Sequence, residues 1–214
     1  MGVKCILCDK RKPKRYCPAK RTYICPVCCG EKRGIEINCP LDCPYFVEGQ
    51  KYQQEKITKQ RVKKEGFEPY IKRAELYNKS PEIFARIELA MVNLFRAESG
   101  LTNRDVAEAL ELVIKTLETE KKGIIYDYRS NNRVVNELVR QILSVLREYK
   151  DSPELKRERI TVDYARDVVE EFLKEVRFFM EVDPNPQGYL VHVARYHPER
   201  IEALKDHGPL IIST

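Results

Sequence analysis

YICPVCCGEKRGIEINCPLDCPYF, residues 23–46, holds five of the eight cysteines of this 214-residue chain. The other three, Cys5, Cys8 and Cys17, precede it, and no cysteine follows Cys43. A cysteine-rich head therefore comes before a cysteine-free body. In a reducing compartment, cysteines clustered at short spacings are more often metal ligands than disulfide partners. The fold of the head is thus expected to depend on what its sulfurs bind.

The spacing of the cysteines is typical of zinc sites. Cys5-x2-Cys8 is followed, after sixteen residues, by Cys25-x2-Cys28-Cys29, and two such pairs supply the four thiolates of a tetrahedral zinc ion. Either Cys28 or Cys29 completes this first set. Four cysteines then remain for a second, interleaved zinc ion, so all eight are predicted ligands: Cys5, Cys8, Cys17, Cys25, Cys28, Cys29, Cys39 and Cys43. The Cys-x2-Cys-x2-Cys run of common iron–sulfur proteins is absent.

Turn-forming residues accompany these sulfurs. Proline directly follows Cys17, Cys25, Cys39 and Cys43, and its fixed φ suits tight turns around a metal. Gly30 follows the cysteine doublet, and glycine adopts positive φ without steric cost. We therefore expect Gly30 to take that conformation.

The first 46 residues resemble the HIT-type zinc finger, an interleaved two-zinc module related to RING-like and treble-clef fingers. Cys5 and Cys8 match its first pair, YCPAK at 16–20 its Cys-Pro-x-Cys, YICPVCC at 23–29 its third pair, and Cys39 with Cys43 its closing pair. The chain departs from that pattern at Lys20, where a cysteine is expected. The resemblance implies two structural zinc ions, with the extra cysteine of the doublet in the missing place.

The segment between the first two cysteine pairs is strongly basic, and so is the N-terminal region around it. Residues 1–64 together contain sixteen Lys and Arg against six Asp and Glu. Basic side chains neutralise phosphates and aromatic rings stack on unpaired bases, which predicts contact with RNA or single strands. The predicted contact residues are Lys10, Arg11, Lys12, Lys14, Arg15, Tyr16, Lys20 and Arg21. A solvated loop that offsets the charge of the zinc thiolates, or contact with a protein partner, are the alternatives.

The body is predicted to be helical, so the fold class is mainly α: a two-zinc module at 1–46, a basic linker helix at 47–67 and a helical bundle at 68–214. Apolar residues recur with a period near 3.6 after Glu68. Start and stop signals indicate helices from Pro81 to near Gly100, from Thr102 to Gly123, from about Asn131 to Asp151, and from Thr161 to Glu181. Two short helices separated before Pro198 and an extended PLIIST tail are expected at the C-terminus.

The body contains no recognisable catalytic motif. It has no phosphate-cradling glycine loop, nucleophile elbow or His-Glu-x-x-His helix. GIIYDYRS, residues 123–130, is expected to be a short strand or an ordered loop that packs on the bundle or lines a surface site. If the chain is an enzyme, Tyr126, Arg129, His192 and Arg195 are the first residues to consider, but a non-enzymatic role is favoured.

Composition limits the class of protein. No apolar run reaches the length of a signal peptide or a membrane span, so the chain is expected to act in the cytoplasm without membrane contact. A four-thiolate zinc ion has no open position for substrate, which makes the metal structural. The sequence predicts a zinc-binding interaction protein that contacts nucleic acid, with a protein-assembly adaptor as the alternative; it gives no sign of an oligomeric state.

Overall fold

A computed structural model of the chain describes residues 2–151 and 159–197. The chain divides into two compact units, one formed by Met1–Gln60 with Val191–Thr214 and the other by Arg61–Leu190. The described part contains one two-stranded sheet and eight helices, so the predicted mainly α fold with an N-terminal cysteine-rich region is confirmed. The predictions for the second C-terminal helix and for the PLIIST tail lie outside the described residues.

The first unit is built on a hairpin and two helices. Strands β1 (Arg15–Cys17) and β2 (Thr22–Ile24) pair antiparallel, and α1 (Pro26–Lys32) and α2 (Pro44–Glu65) follow. Their core consists of cysteines with Ile24, Ile37 and Phe46. So small an apolar core cannot stabilise a head of this length without additional crosslinks. The hairpin was not predicted from the sequence.

Helix α2 is mostly solvated, as predicted for a basic linker helix. Phe46 and Gly49 are its only buried residues, and both lie in its first two turns. A Cβ on Gly49 would meet the Arg33 guanidinium, which donates a hydrogen bond to Tyr45 O. A larger residue at position 49 would therefore displace this guanidinium from its place against the helix.

Residues 191–197 pack on the same unit. The Gln50 side-chain amide donates to Arg195 O at 2.6 Å, and the Tyr196 hydroxyl is 3.3 Å from Gln50 O. Gly34, with φ +70°, lies against the Phe46 ring and the Arg195 backbone. The C-terminal stretch thus contributes to the head, although the domain boundaries at 46 and 67 stay a prediction.

The second unit is a bundle of amphipathic helices. It contains α3 (Glu68–Lys79), α4 (Pro81–Ala97), α5 (Asn103–Lys121), α6 (Arg133–Asp151) and α7 (Val162–Val182), and α8 (Gly188–Ala194) begins within it. Helix α5 packs on α6 and α7, while α4 packs on α6 and α3 on α4 and α7. The four long helices expected from the sequence are confirmed, and α3 is a separate helix in addition.

Helix starts in this unit follow the predicted signals. Pro81 occupies the first turn of α4, and Thr102 forms a reciprocal capping box with Asp105 at the start of α5. Thr161 accepts a hydrogen bond from the Tyr164 amide at the start of α7. Residues 123–130 form a loop without strand pairing. No described helix has the length and apolarity needed to cross a membrane.

We expect Phe172→Ala to lower the free energy of unfolding by about 3–5 kcal/mol, because a buried aromatic side chain is replaced by a cavity. Phe172 is fully buried, and its ring centroid lies 5.2 Å from that of Phe84. Denaturant unfolding of the full chain, followed by circular dichroism at a helix band, measures the change.

The matched control is Phe67→Ala, because this ring is 61% exposed in the same unit. It should cost less than about 1 kcal/mol. Equal losses in the two variants would show that the core is not where the packing places it.

Candidate metal centre

The first sulfur pair lies on a tight turn at residues 5–9. The amides of Cys8 and Asp9 donate to Cys5 O at 3.3 and 2.8 Å, and Asp9 adopts φ 47° where the chain leaves the turn. Cys25 N–H donates to the Cys5 sulfur at 3.2 Å. The turn therefore directs both sulfurs toward the second pair.

The second pair lies at the start of α1. Cys25 is the N-cap of this helix, Pro26 follows in its first turn, and the Cys28 amide donates to the Cys25 sulfur at 3.3 Å. The same backbone places Gly30 within the helix, so the predicted positive φ at Gly30 is wrong. Helix formation from the proline onward removes the need for a left-handed residue there.

Four sulfurs converge as a result. Those of Cys5, Cys8, Cys25 and Cys28 all lie within 4.8 Å of one another. The Cys8 and Cys25 sulfurs are 3.9 Å apart. Zinc–thiolate bonds of about 2.3 Å in a tetrahedron place sulfurs about 3.8 Å apart. The donor set and its spacing fit a zinc ion, in agreement with the zinc-binding head expected from the sequence.

The surroundings of this cluster favour the thiolate form of Cys8, the one member that is not fully buried. Amide hydrogen bonds from Lys10 and Arg11 lower the pKa of the Cys8 thiol to about 6. Burial and the neighbouring sulfurs raise the pKa of Cys28 to about 12. Backbone donors thus stabilise negative charge on the Cys8 sulfur, whereas burial and the neighbouring sulfurs disfavour it on Cys28.

The doublet divides between two environments. Adjacent residues of an α-helix point about 100° apart, so Cys28 and Cys29 cannot face the same cluster. Cys28 joins the four-sulfur cluster, whereas Cys29 lines a small cavity together with Cys17, Cys39 and Cys43. The choice between Cys28 and Cys29, open in the sequence, is thereby made for the first site.

The remaining cysteines share that cavity without reaching ligand spacing. Cys17, Cys29, Cys39 and Cys43 are all buried. Burial raises the pKa of Cys39, although an amide hydrogen bond from Gly34 opposes it, and charge on the other three sulfurs raises it further. Within the described residues, only Cys5, Cys8, Cys25 and Cys28 form a group at metal-binding distance.

The predicted contact residues lie around the hairpin. Lys10, Arg11, Lys12 and Lys14 precede β1, Arg15 and Tyr16 belong to it, and Lys20 and Arg21 form the turn to β2. All are exposed except Arg15, whose guanidinium stacks 4.7 Å from the Tyr45 ring centre. Tyr16 lies opposite Tyr23, the other tyrosine interleaved with the basic residues of this segment. Cross-strand pairing in the hairpin makes the two rings neighbours, which the sequence did not predict.

The residues named for a possible enzyme are distributed over both units. Tyr126 and Arg129 line a cleft in the helical unit, whereas His192 is buried and stacks edge-on with Tyr196 in the first unit. Arg195 packs beside Gly34.

No family model, curated protein or solved structure matches this chain. The likeness to HIT-type fingers consequently rests on the spacing of the cysteines.

We expect Cys28→Ser to remove one zinc ion per chain, because the hydroxyl is a poor substitute for the thiolate that completes the cluster. Elemental analysis after dialysis against a mild chelator measures the metal. The control is Val27→Ala, a change at a partly exposed neighbour on the same helix. A Cys28→Ser protein with the zinc content of the wild type would show that Cys28 is not a ligand.

Proposed function

We propose that the chain is a non-enzymatic zinc-binding protein whose basic head contacts RNA or single-stranded nucleic acid. The single observation that carries the proposal is an exposed tyrosine pair on the hairpin, surrounded by cations that have no carboxylate partner among the described residues. The four-sulfur cluster is joined directly to the hairpin, because Cys25 follows the last residue of β2.

The cations around the hairpin are available for a ligand. None of the side chains in this group forms an ion pair within residues 2–151 and 159–197: Lys10, Arg11, Lys12, Lys14, Lys20 and Arg21. In contrast, many Arg and Lys side chains of the helical unit pair with carboxylates, such as Arg86 with Glu148 and Arg177 with Glu111. Unpaired cations concentrated on one short segment favour a polyanionic partner.

The tyrosine pair gives the surface its preference for unpaired bases. Tyr16 and Tyr23 are register partners, their ring centres are 5.5 Å apart, and they are 49% and 56% exposed. Cys17 and Ile24, the next residue on each strand, are buried. Successive side chains of a strand alternate between faces, so the rings point away from the cysteine core. Bases of a duplex are already stacked, whereas unpaired bases are free to stack on such rings.

The turn of the hairpin retains an arginine where the backbone favours glycine. Arg21 adopts φ 51°, in the left-handed region. An L-residue pays about 1 kcal/mol or more for this conformation. A long cation kept at such a position is consistent with a role for its side chain in binding.

The proposed function includes a second zinc ion in the head. Cys17, Cys29, Cys39 and Cys43 supply the four thiolates, since all four line one buried cavity and a bound cation would draw them to ligand distance. Cys17 belongs to β1. A zinc ion on Cys17 would fix the strand that carries Tyr16. Four thiolates leave no site for water or substrate, so both metals are structural.

An adaptor role is the second candidate, and one surface of the helical unit favours it. Phe67, the N-cap of α3, and Tyr70, Ile71 and Tyr77 within this helix recur at helical spacing, and all are exposed. A continuous apolar stripe on a helix is typical of a protein contact.

Action in the cytoplasm stays a prediction.

We expect the protein to bind a fluorescent single-stranded RNA of about twelve nucleotides more tightly than a duplex of the same length. Affinity should fall with salt, with a slope of about −0.7 per contacted phosphate in a logarithmic plot. Fluorescence anisotropy at several salt concentrations measures both effects.

Two variants separate the contributions. Lys12→Ala with Lys14→Ala should lower the salt slope, while Tyr16→Ala with Tyr23→Ala should weaken binding about tenfold or more with little change in slope. Lys72→Ala, an exposed lysine on α3, is the control. An absence of binding at low salt, or losses in the control equal to those in the hairpin variants, would reject the proposal.

For the metals, we expect two zinc ions per purified wild-type chain, one in Cys29→Ser, and none in the Cys28→Ser, Cys29→Ser double variant. The reason is that each of the two cysteines serves a different cluster. Elemental analysis normalised to protein concentration measures the ratio. One zinc ion in the wild type, unchanged in Cys29→Ser, would exclude the second site.

A further inference from the structure

The loop between α5 and α6 is held firmly although it has no regular structure. Three of its amides donate to the flanking helices: Ile124 to Thr119 O at 3.0 Å, Tyr128 to Thr116 Oγ1 at 3.1 Å and Ser130 to Asn136 Oδ1 at 2.7 Å. The Asp127 carboxylate accepts two hydrogen bonds from Arg147 of α6. Side chains that project from this loop are therefore positioned in advance of any ligand.

A cleft opens beside the loop. Two adjoining cavities of about 840 and 400 Å³ share Asp127, Arg129 and Arg147. Their sizes lie in the range of small-molecule sites. Five cations and three carboxylates line them, namely Arg129, Arg133, Arg140, Arg147 and Lys150 with Glu120, Asp127 and Glu137. The lining thus carries a positive excess.

One cation of the cleft differs from the others. Arg147 pairs with Asp127, Lys150 with Glu120 and Arg140 with Glu137. Arg133 reaches Glu98. In the described part of the chain, Arg129 has no carboxylate partner, and it is exposed between the two cavities. Its planar guanidinium is suited to bidentate binding of a phosphate or carboxylate.

An aromatic ring lines the same cavity as this cation. Tyr126 is 57% exposed, and its ring centre is 4.9 Å from that of Tyr128. The edge-to-face contact between the two rings orients the Tyr126 ring. Ile125 beside it is 91% exposed. An isoleucine and a tyrosine held in solvent at the mouth of a polar cleft provide a surface for a flat, partly apolar group.

We propose that this cleft binds a mononucleotide. Arg129 binds the phosphate and Tyr126 stacks on the base, with Ile125 covering the edge of the base. A nucleoside phosphate joins the two features because it carries an anion and a planar ring on one small molecule. All of the residues belong to the helical unit, so the site is independent of the zinc head and of its proposed contact with nucleic acid.

Isothermal titration with AMP tests the site, and inorganic phosphate and adenosine serve as the two component probes. We expect saturable AMP binding by the full chain with a Kd below about 1 mM. Each component should bind at least about tenfold more weakly than AMP, because each one uses half of the site.

Variants locate the binding. Arg129→Ala and Tyr126→Ala should each weaken AMP binding about tenfold, whereas Tyr126→Phe keeps the ring and should retain it. Arg177→Ala, an exposed arginine of the same unit outside the cleft, should bind AMP like the wild type. Circular dichroism confirms that each variant is folded.

Any of three results would overturn the assignment: no saturable AMP binding by the wild type, phosphate binding as tightly as AMP, or a loss in Arg177→Ala equal to that in Arg129→Ala. Failure of the head to bind RNA leaves this outcome unaffected, because the variants and probes differ.

Discussion

Convergence of four sulfurs is the constraint on which the head depends. Its apolar core contains little besides cysteines and three large side chains, which is too small for independent stability. Amide donors from the turn at Cys5 and from the start of α1 prepare the cluster for negative charge. Bringing thiolates within 4.8 Å of one another costs electrostatic energy, which a divalent cation removes. Binding of such a cation at this cluster would therefore be coupled to folding of the unit.

The hairpin connects that process to the surface. Strand alternation places Cys17 and Ile24 inside and Tyr16 and Tyr23 outside, so whatever orders the inner face also orders the outer one. The basic side chains before the hairpin and in its turn are exposed, and they have no carboxylate partner within the described residues. A structural metal in such a head acts on function only through the geometry of the residues it fixes.

The helical unit depends on different physics. Its apolar faces bury one another through rows of side chains such as Phe84 and Phe172, and a partly buried Arg73–Glu175 ion pair at 2.7 Å links α3 to α7. Breaking such a pair from one side leaves a buried charge, so it specifies how these two helices meet. The rigid α5–α6 loop is a product of this packing, since its anchors are side chains and carbonyl groups of the two helices.

The sequence by itself determined the separation of a sulfur-rich head from a helical body, the first zinc-like spacing, and the starts of α4, α5 and α7, because these follow from local spacing, capping and proline chemistry. Only the tertiary structure decided that Cys28 rather than Cys29 joins Cys5 and Cys8. It also decided that Tyr16 and Tyr23 are cross-strand neighbours, and that Arg129, without a carboxylate partner among the described residues, lines the same cavity as Tyr126. Each of these outcomes depends on side-chain direction and on distances between residues far apart in the chain, which hydrophobic periodicity and motif spacing do not encode.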